Sequence, residues 1–69
     1  MPLDKAYEAL GIDSTAEDSG VRRAYRRLAL KHHPDRHAAA SEAERAKHVD
    51  AFKFASMAYA LVMKARGLA

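Results

Sequence analysis

Val21-Arg22-Arg23-Ala24-Tyr25-Arg26-Arg27-Leu28-Ala29-Leu30-Lys31-His32-His33-Pro34-Asp35-Arg36 decides how this chain is read. At 100° per residue, Val21, Ala24, Tyr25, Leu28 and His32 share one stripe, while Arg22, Arg23, Arg26, Arg27 and Lys31 fall on the other side. That pattern predicts an amphipathic helix with a basic outer face. Pro34 disfavours helical backbone at His33, so the helix is expected to stop at about His32. His33-Pro34-Asp35 then projects a histidine and a carboxylate from a stiffened turn at the end of a positive helix. Isolated, such a triplet reads as a helix stop with incidental polar residues, and its position is what gives it weight.

Outward from this segment, the remaining signals are also helical. Upstream, Asp4 is placed to cap a short helix with Tyr7 and Leu10 facing inward, and Gly11 suits a left-handed C-terminal cap. Ser14-Thr15-Ala16-Glu17 has the spacing of a capping box, with Asp18 adding negative charge to the first turn of the basic helix. Gly20 is a local weakness in that helix. Downstream, residues 33–40 read as loop. Ser41-Glu42-Ala43-Glu44 is a second capping box and opens a long third helix that ends near Gly67. Phe52, Ala55, Tyr59 and Val62 form its inward stripe, and Phe54, Met57 and Leu61 form a second apolar stripe on the outside. The expected helices are about 4–10, 17–32 and 41–65. The fold expected is all-α, a single domain over residues 1–69, with a short first helix bracing an antiparallel hairpin of two long ones. No fourth helix is expected after Lys64.

Size and charge narrow the function. Sixty-nine residues bury roughly 60% of their unfolded surface, which leaves little room for a substrate cleft. There is no cysteine, so neither disulfides nor thiolate metal sites are available. No apolar run approaches the length of a membrane span and no signal-peptide pattern opens the chain, so the expected location is cytoplasmic. Residues 21–37 carry six basic side chains against Asp35 alone, a net +5, which leaves −2 for the rest of a chain whose formal charge is +3. Arg22/Arg26, Arg23/Arg27 and Arg27/Lys31 are like-charged i,i+4 pairs, each costing the isolated helix about 0.2–0.5 kcal/mol. A face kept only for solubility would mix signs. An acidic partner surface is the natural expectation. Leu30 sits amid the basic face, either as a stray exposed leucine or as an apolar anchor. His32, His33 and His37 do not suggest a metal, because the first two are adjacent and diverge and no cysteine or carboxylate framework accompanies them. No nucleophile accompanies His33 and Asp35, so they are not read as a catalytic pair.

With these residues placed, the chain resembles a J-domain, the module that defines the DnaJ co-chaperones. Tyr7-Glu8-Ala9-Leu10-Gly11 resembles the opening helix of that family, residues 21–36 its second helix and signature loop, and Phe52-Lys53 with Ala58-Tyr59 its third helix. The resemblance implies docking on a DnaK-type chaperone ATPase, stimulation of that partner's ATP hydrolysis, and promotion of substrate capture, with no hydrolase activity and no cofactor of its own. By position it implies that Arg22, Tyr25, Arg26 and Arg27 form the electrostatic contact face. His33, Pro34 and Asp35 would transmit the signal, with Arg36 continuing the loop. Leu30 and Phe52 would be apolar contacts at the edge of the face.

The chain departs from the family pattern at Lys5, Gly20, His37, Phe54 and Met57, in a longer stretch after Arg36, and in lacking a fourth helix. It carries no glycine/phenylalanine-rich linker and no zinc region, so it reads as an excised domain or a minimal J-protein. Two alternatives stand beside this reading. One is a basic three-helix nucleic-acid binder, against which the absence of Asn and Gln weighs. The other is a J-like scaffold without ATPase stimulation. Phe54, Met57 and Leu61 are expected either to be covered by packing or to form a weak second contact.

Overall fold

A computed structural model describes residues 1–69. The elements are α1 (Leu3–Ala9), α2 (Asp18–His32), a single 3₁₀ turn (Pro34–His37) and α3 (Glu42–Ala65), and there are no strands. The chain is therefore all-α with three helices. Tyr25 stacks on Tyr59 at 4.3 Å and 9°, His32 meets His48, and Arg66 reaches back to Asp18, so positions rise along α2 as they fall along α3. The two helices are thus an antiparallel hairpin. At about 1.5 Å per residue, the 24 residues of α3 account for the 38 Å long dimension of the molecule.

The sequence explains where these elements end. After α1, Gly11 takes φ +73°, its N–H bonds the Glu8 carbonyl at 2.9 Å, and the N–H of Ile12 bonds the Tyr7 carbonyl at 3.1 Å. The same pair of bonds closes α3: Gly67 at φ +74° donates to Lys64, and Leu68 donates to Met63. Both are Schellman caps, which need a residue that tolerates the left-handed region. Ser41 caps α3 by accepting from the Glu44 N–H at 3.2 Å. Glu44 turns to Lys47 rather than completing the box.

Two expected caps are not formed. Asp4 lies in the first turn of α1, whose N-cap is Pro2. At α2, Glu17 is the N-cap and no side chain caps it. Asp13 has taken the local donors instead. Its carboxylate accepts from both the N–H and the hydroxyl of Thr15, and its carbonyl accepts from the Ala16 N–H. This Asx-type turn leads into α2, which starts at Asp18, within a residue of the expected start. The Thr15 bonds also hold the Asp13 carboxyl below the usual range. The stretch expected as loop after Pro34 is likewise corrected, because it makes a 3₁₀ turn through His37.

The core is one small cluster: Ala6, Tyr7 and Leu10 from α1, Val21 and Ala24 from α2, and Ala58, Val62 and Met63 from α3. Its alanines let the helices approach closely. Phe52, Ala55, Tyr59 and Val62 face inward on α3 as the spacing requires, with Ala55 and Val62 fully buried. The outer stripe divides. Leu61 is half-buried and packs on the core, whereas Phe54 and Met57 remain exposed at 51% and 62%. Arg66 joins the ends of all three helices. It donates to the Tyr7 hydroxyl and to Asp18, both at 2.8 Å, and its guanidinium lies 5.3 Å from the Tyr7 ring centroid. Tyr7 and Asp18 thereby make Arg66 hold its proton more tightly than an ordinary arginine, Asp18 contributing most. α1 thus braces the hairpin at the end opposite Pro34.

Candidate functional site

α2 buries Val21 and Ala24, and that rotation fixes what its other side presents. Arg22, Arg23, Arg26, Arg27 and Lys31 are all exposed, and none of them takes part in an ion pair. The positive face is therefore uncompensated within the chain. Leu30 stands among these charges with 61% of its surface exposed. It separates two grooves. One, of about 470 Å³, is lined by Arg26, Arg27, Ala29, Leu30, His33 and Phe52. The other, of about 500 Å³, is lined by Arg27, Leu30, Lys31, Arg36 and His37. Leu30 and Arg27 border both, so an apolar ridge runs between one groove backed by Phe52 and one walled by cations.

The His33-Pro34-Asp35 turn closes the end of this face. His33 has left helical backbone at ψ 133° and caps the 3₁₀ turn: its Nδ1 accepts from the Asp35 N–H at 3.2 Å. An accepting Nδ1 carries a lone pair, so the neutral ring bears its proton on Nε2. The Asp35 carboxylate lies 3.8 Å from that Nδ1, too far for a hydrogen bond, and 93% of its side chain is exposed. It is a free acceptor. The His33 ring meets Phe52 edge-on, with centroids 6.0 Å apart at 87°. The turn is thereby set against α3, and Phe52 links the loop to the apolar groove.

The two grooves bring six of the ten candidate residues together, Arg26, Arg27, Leu30, His33, Arg36 and Phe52, while Arg22 lies one helical turn before Arg26 and Pro34 and Asp35 share the turn with His33. Tyr25 stands apart. Its half-buried ring stacks on Tyr59 and its hydroxyl pairs with Ser56 at 3.0 Å, so it holds α2 to α3. Two supporting residues escaped the sequence reading. Arg45 donates to the carbonyls of Ala38 and Ala40, at 3.3 and 2.7 Å, and pins the end of the loop. His48 faces His32 and His37. Stepping the inward stripe of α3 back four residues from Phe52 would have found His48. Nothing in the site combines a nucleophile with a base, and no group of three His, Cys, Asp or Glu side chains is placed to hold a metal ion. The arrangement offers a cationic, partly apolar surface ending in a fixed histidine and an open carboxylate.

The model of the DnaJ domain family matches residues 5–66 of this chain. The chain belongs to the DnaJ domain family. Among curated proteins, the chaperone protein DnaJ of Psychrobacter arcticus is 53% identical over 53 residues, covering 77% of this chain and 13% of that protein. The chaperone protein DnaJ of Fusobacterium nucleatum subsp. nucleatum is 43% identical over 56 residues, covering 81% of this chain and 14% of that protein. That of Clostridium tetani is 48% identical over 44 residues, covering 64% and 12%. This J-domain therefore spans about one seventh of the length of such relatives. No solved structure matches it significantly. All ten candidate residues fall within the matched segment.

Proposed function

We propose that this J-domain is a co-chaperone module that docks on a DnaK-type chaperone ATPase, stimulates its ATP hydrolysis and so promotes substrate capture. The hydrolysis is the partner's, and the J-domain contributes no catalytic group. The observation that carries this reading is the pairing of an uncompensated arginine face with an exposed, unengaged Asp35 held on a proline turn. Arg22, Arg26 and Arg27 attract an acidic surface over distance. Leu30 and Phe52 supply apolar contact once charges have met. His33, through its outward Nε2–H, and Asp35, through its carboxylate, then offer one donor and one charged acceptor in a fixed relation. The apolar ridge at Leu30 favours this reading over a phosphate backbone, which offers a leucine nothing to pack on.

Asp35→Asn tests the mechanism. The side chain is exposed and makes no internal hydrogen bond, so the variant is expected to keep its helical signal and melting temperature while losing stimulation of a DnaK-type ATPase in single-turnover hydrolysis. Full stimulation by the folded variant would contradict the proposal.

A further inference from the structure

Three histidines meet behind the signature turn, one from each element that borders it. His32 ends α2, His37 ends the 3₁₀ turn and His48 lies in α3. His32 Nδ1 and His48 Nδ1 are 2.9 Å apart, and the His37 ring stacks on the His48 ring with centroids 3.4 Å apart at 3°. His37 Nε2 lies 2.8 Å from the Lys31 carbonyl, which can only accept, so that nitrogen carries a proton. All three rings are half-buried.

The charges acting on His32 are cationic or imidazole, Lys31 on α2 with His37 and His48 facing it, while Arg45 is turned to the Ala38 and Ala40 carbonyls and Lys47 to Glu44. No carboxylate pairs with any of the three histidines: the Asp35 carboxylate projects into solvent, and Glu44 pairs with Lys47. The Nδ1 to Nδ1 bond needs one N–H and one lone pair. A single added proton can be shared between His32 and His48. A second puts two N–H groups face to face, or two cations in a stack, with nothing to neutralise them.

We propose that His32, His37 and His48 form a pH-sensitive latch, which holds the turn carrying His33-Pro34-Asp35 against the hairpin while the cluster is neutral and releases it as the cluster fills with protons. Burial, then His48, Lys31 and His37, lower the proton affinity of His32 below its usual 6.5. An opened His32 therefore binds its proton more readily than a latched one. The latch is fully present above that usual value and is lost as pH falls through the lowered one.

Only the functional consequence of the latch rests on the docking function proposed above, and the two are separable. Nitrogen and proton NMR of the chain alone, from about pH 8 to about pH 5, reads the latch. His32 is expected to titrate below its usual 6.5, and the ring signals of His48 and His37 should move with it. The amides of Arg36 to Ala40 should move with the same midpoint. His48→Phe keeps a flat ring for His37 to stack on but takes no proton, so the coupled movement of those amides should disappear while the α2 and α3 signals stay. Independent titration of the three rings with stationary loop amides would overturn the latch, as would an unchanged transition in His48→Phe. In the ATPase assay, stimulation by the wild type should fall several-fold between neutral pH and pH about 5, relative to His48→Phe at the same pH. Absence of stimulation at every pH, with the NMR transition intact, would count against the docking function and leave the latch standing.

Discussion

At the scale of single residues, this domain keeps several groups that do nothing for its own stability. Arg22, Arg26 and Arg27 repel along one face of α2 and find no carboxylate within the chain. Arg26→Ala removes the repulsion with Arg22 and substitutes a better helix former. It is expected to stabilise the free domain by up to about 0.5 kcal/mol in urea denaturation. The same change should weaken association with the chaperone partner, and by a larger factor at low salt than at high salt, because exposed charges are screened. A variant that both destabilised the domain and left association unchanged would show that the arginines serve folding instead. Which side of α2 each candidate residue occupies was legible in the sequence, because periodicity alone decides it. Tyr25 carries two assignments: it falls on the inward stripe, where it stacks on Tyr59 and pairs with Ser56, and the resemblance also places it on the contact face.

At the scale of elements, what was legible depended on the length of the signal. α2 and α3 carry several turns of apolar spacing, and Gly11 and Gly67 sit where left-handed caps are required, so their extents follow closely from the sequence. Short elements carry no such redundancy. One 3₁₀ turn over Pro34–His37 leaves no periodic trace. The Ser14 to Glu17 spacing lost to Asp13, one residue upstream, because an aspartate two residues before a threonine can claim both of its donors. The contacts of Arg66 span 48 to 59 residues and no local pattern reports them, while the stripe of α3 turns His48 inward without naming its partners 11 and 16 residues away. Gly20 lies inside α2 at ordinary negative φ, and a β-carbon there would approach nothing closer than 3.9 Å. Gly20→Ala should therefore stabilise the domain by about 0.4–1 kcal/mol, seen as a rise in Tm. A fall in Tm would mean that this part of α2 is strained in a way the backbone does not show.

At the scale of the whole molecule, a core of only eight clustered residues puts unusual weight on the contacts around it. Arg66 is the principal one, since it ties α3 to the hydroxyl of Tyr7 and the carboxylate of Asp18 with only 16% of its own side chain exposed. Arg66→Ala should lower Tm by several degrees and loosen α1 first, visible as faster amide exchange at Ala6 to Leu10 than in the hairpin. Equal loosening everywhere would show that the hairpin cannot stand without that tie. The bracing end and the proposed docking end are therefore separate: Arg66 and α1 secure one end of the hairpin, while Phe52, Arg45 and the histidines secure the turn at the other. This division lets the signature turn present groups that the fold itself does not consume.

The central claim is that His33-Pro34-Asp35 acts on another protein's active site. Its most direct test is single-turnover ATP hydrolysis by a DnaK-type chaperone, with the wild-type domain and His33→Gln compared at matched concentrations and neutral pH. The wild type is expected to accelerate hydrolysis and the folded His33→Gln variant to lose that acceleration, because glutamine cannot hold the turn through an accepting Nδ1 while presenting an Nε2–H outward. Equal acceleration by the two proteins, or none by the wild type, would contradict the account.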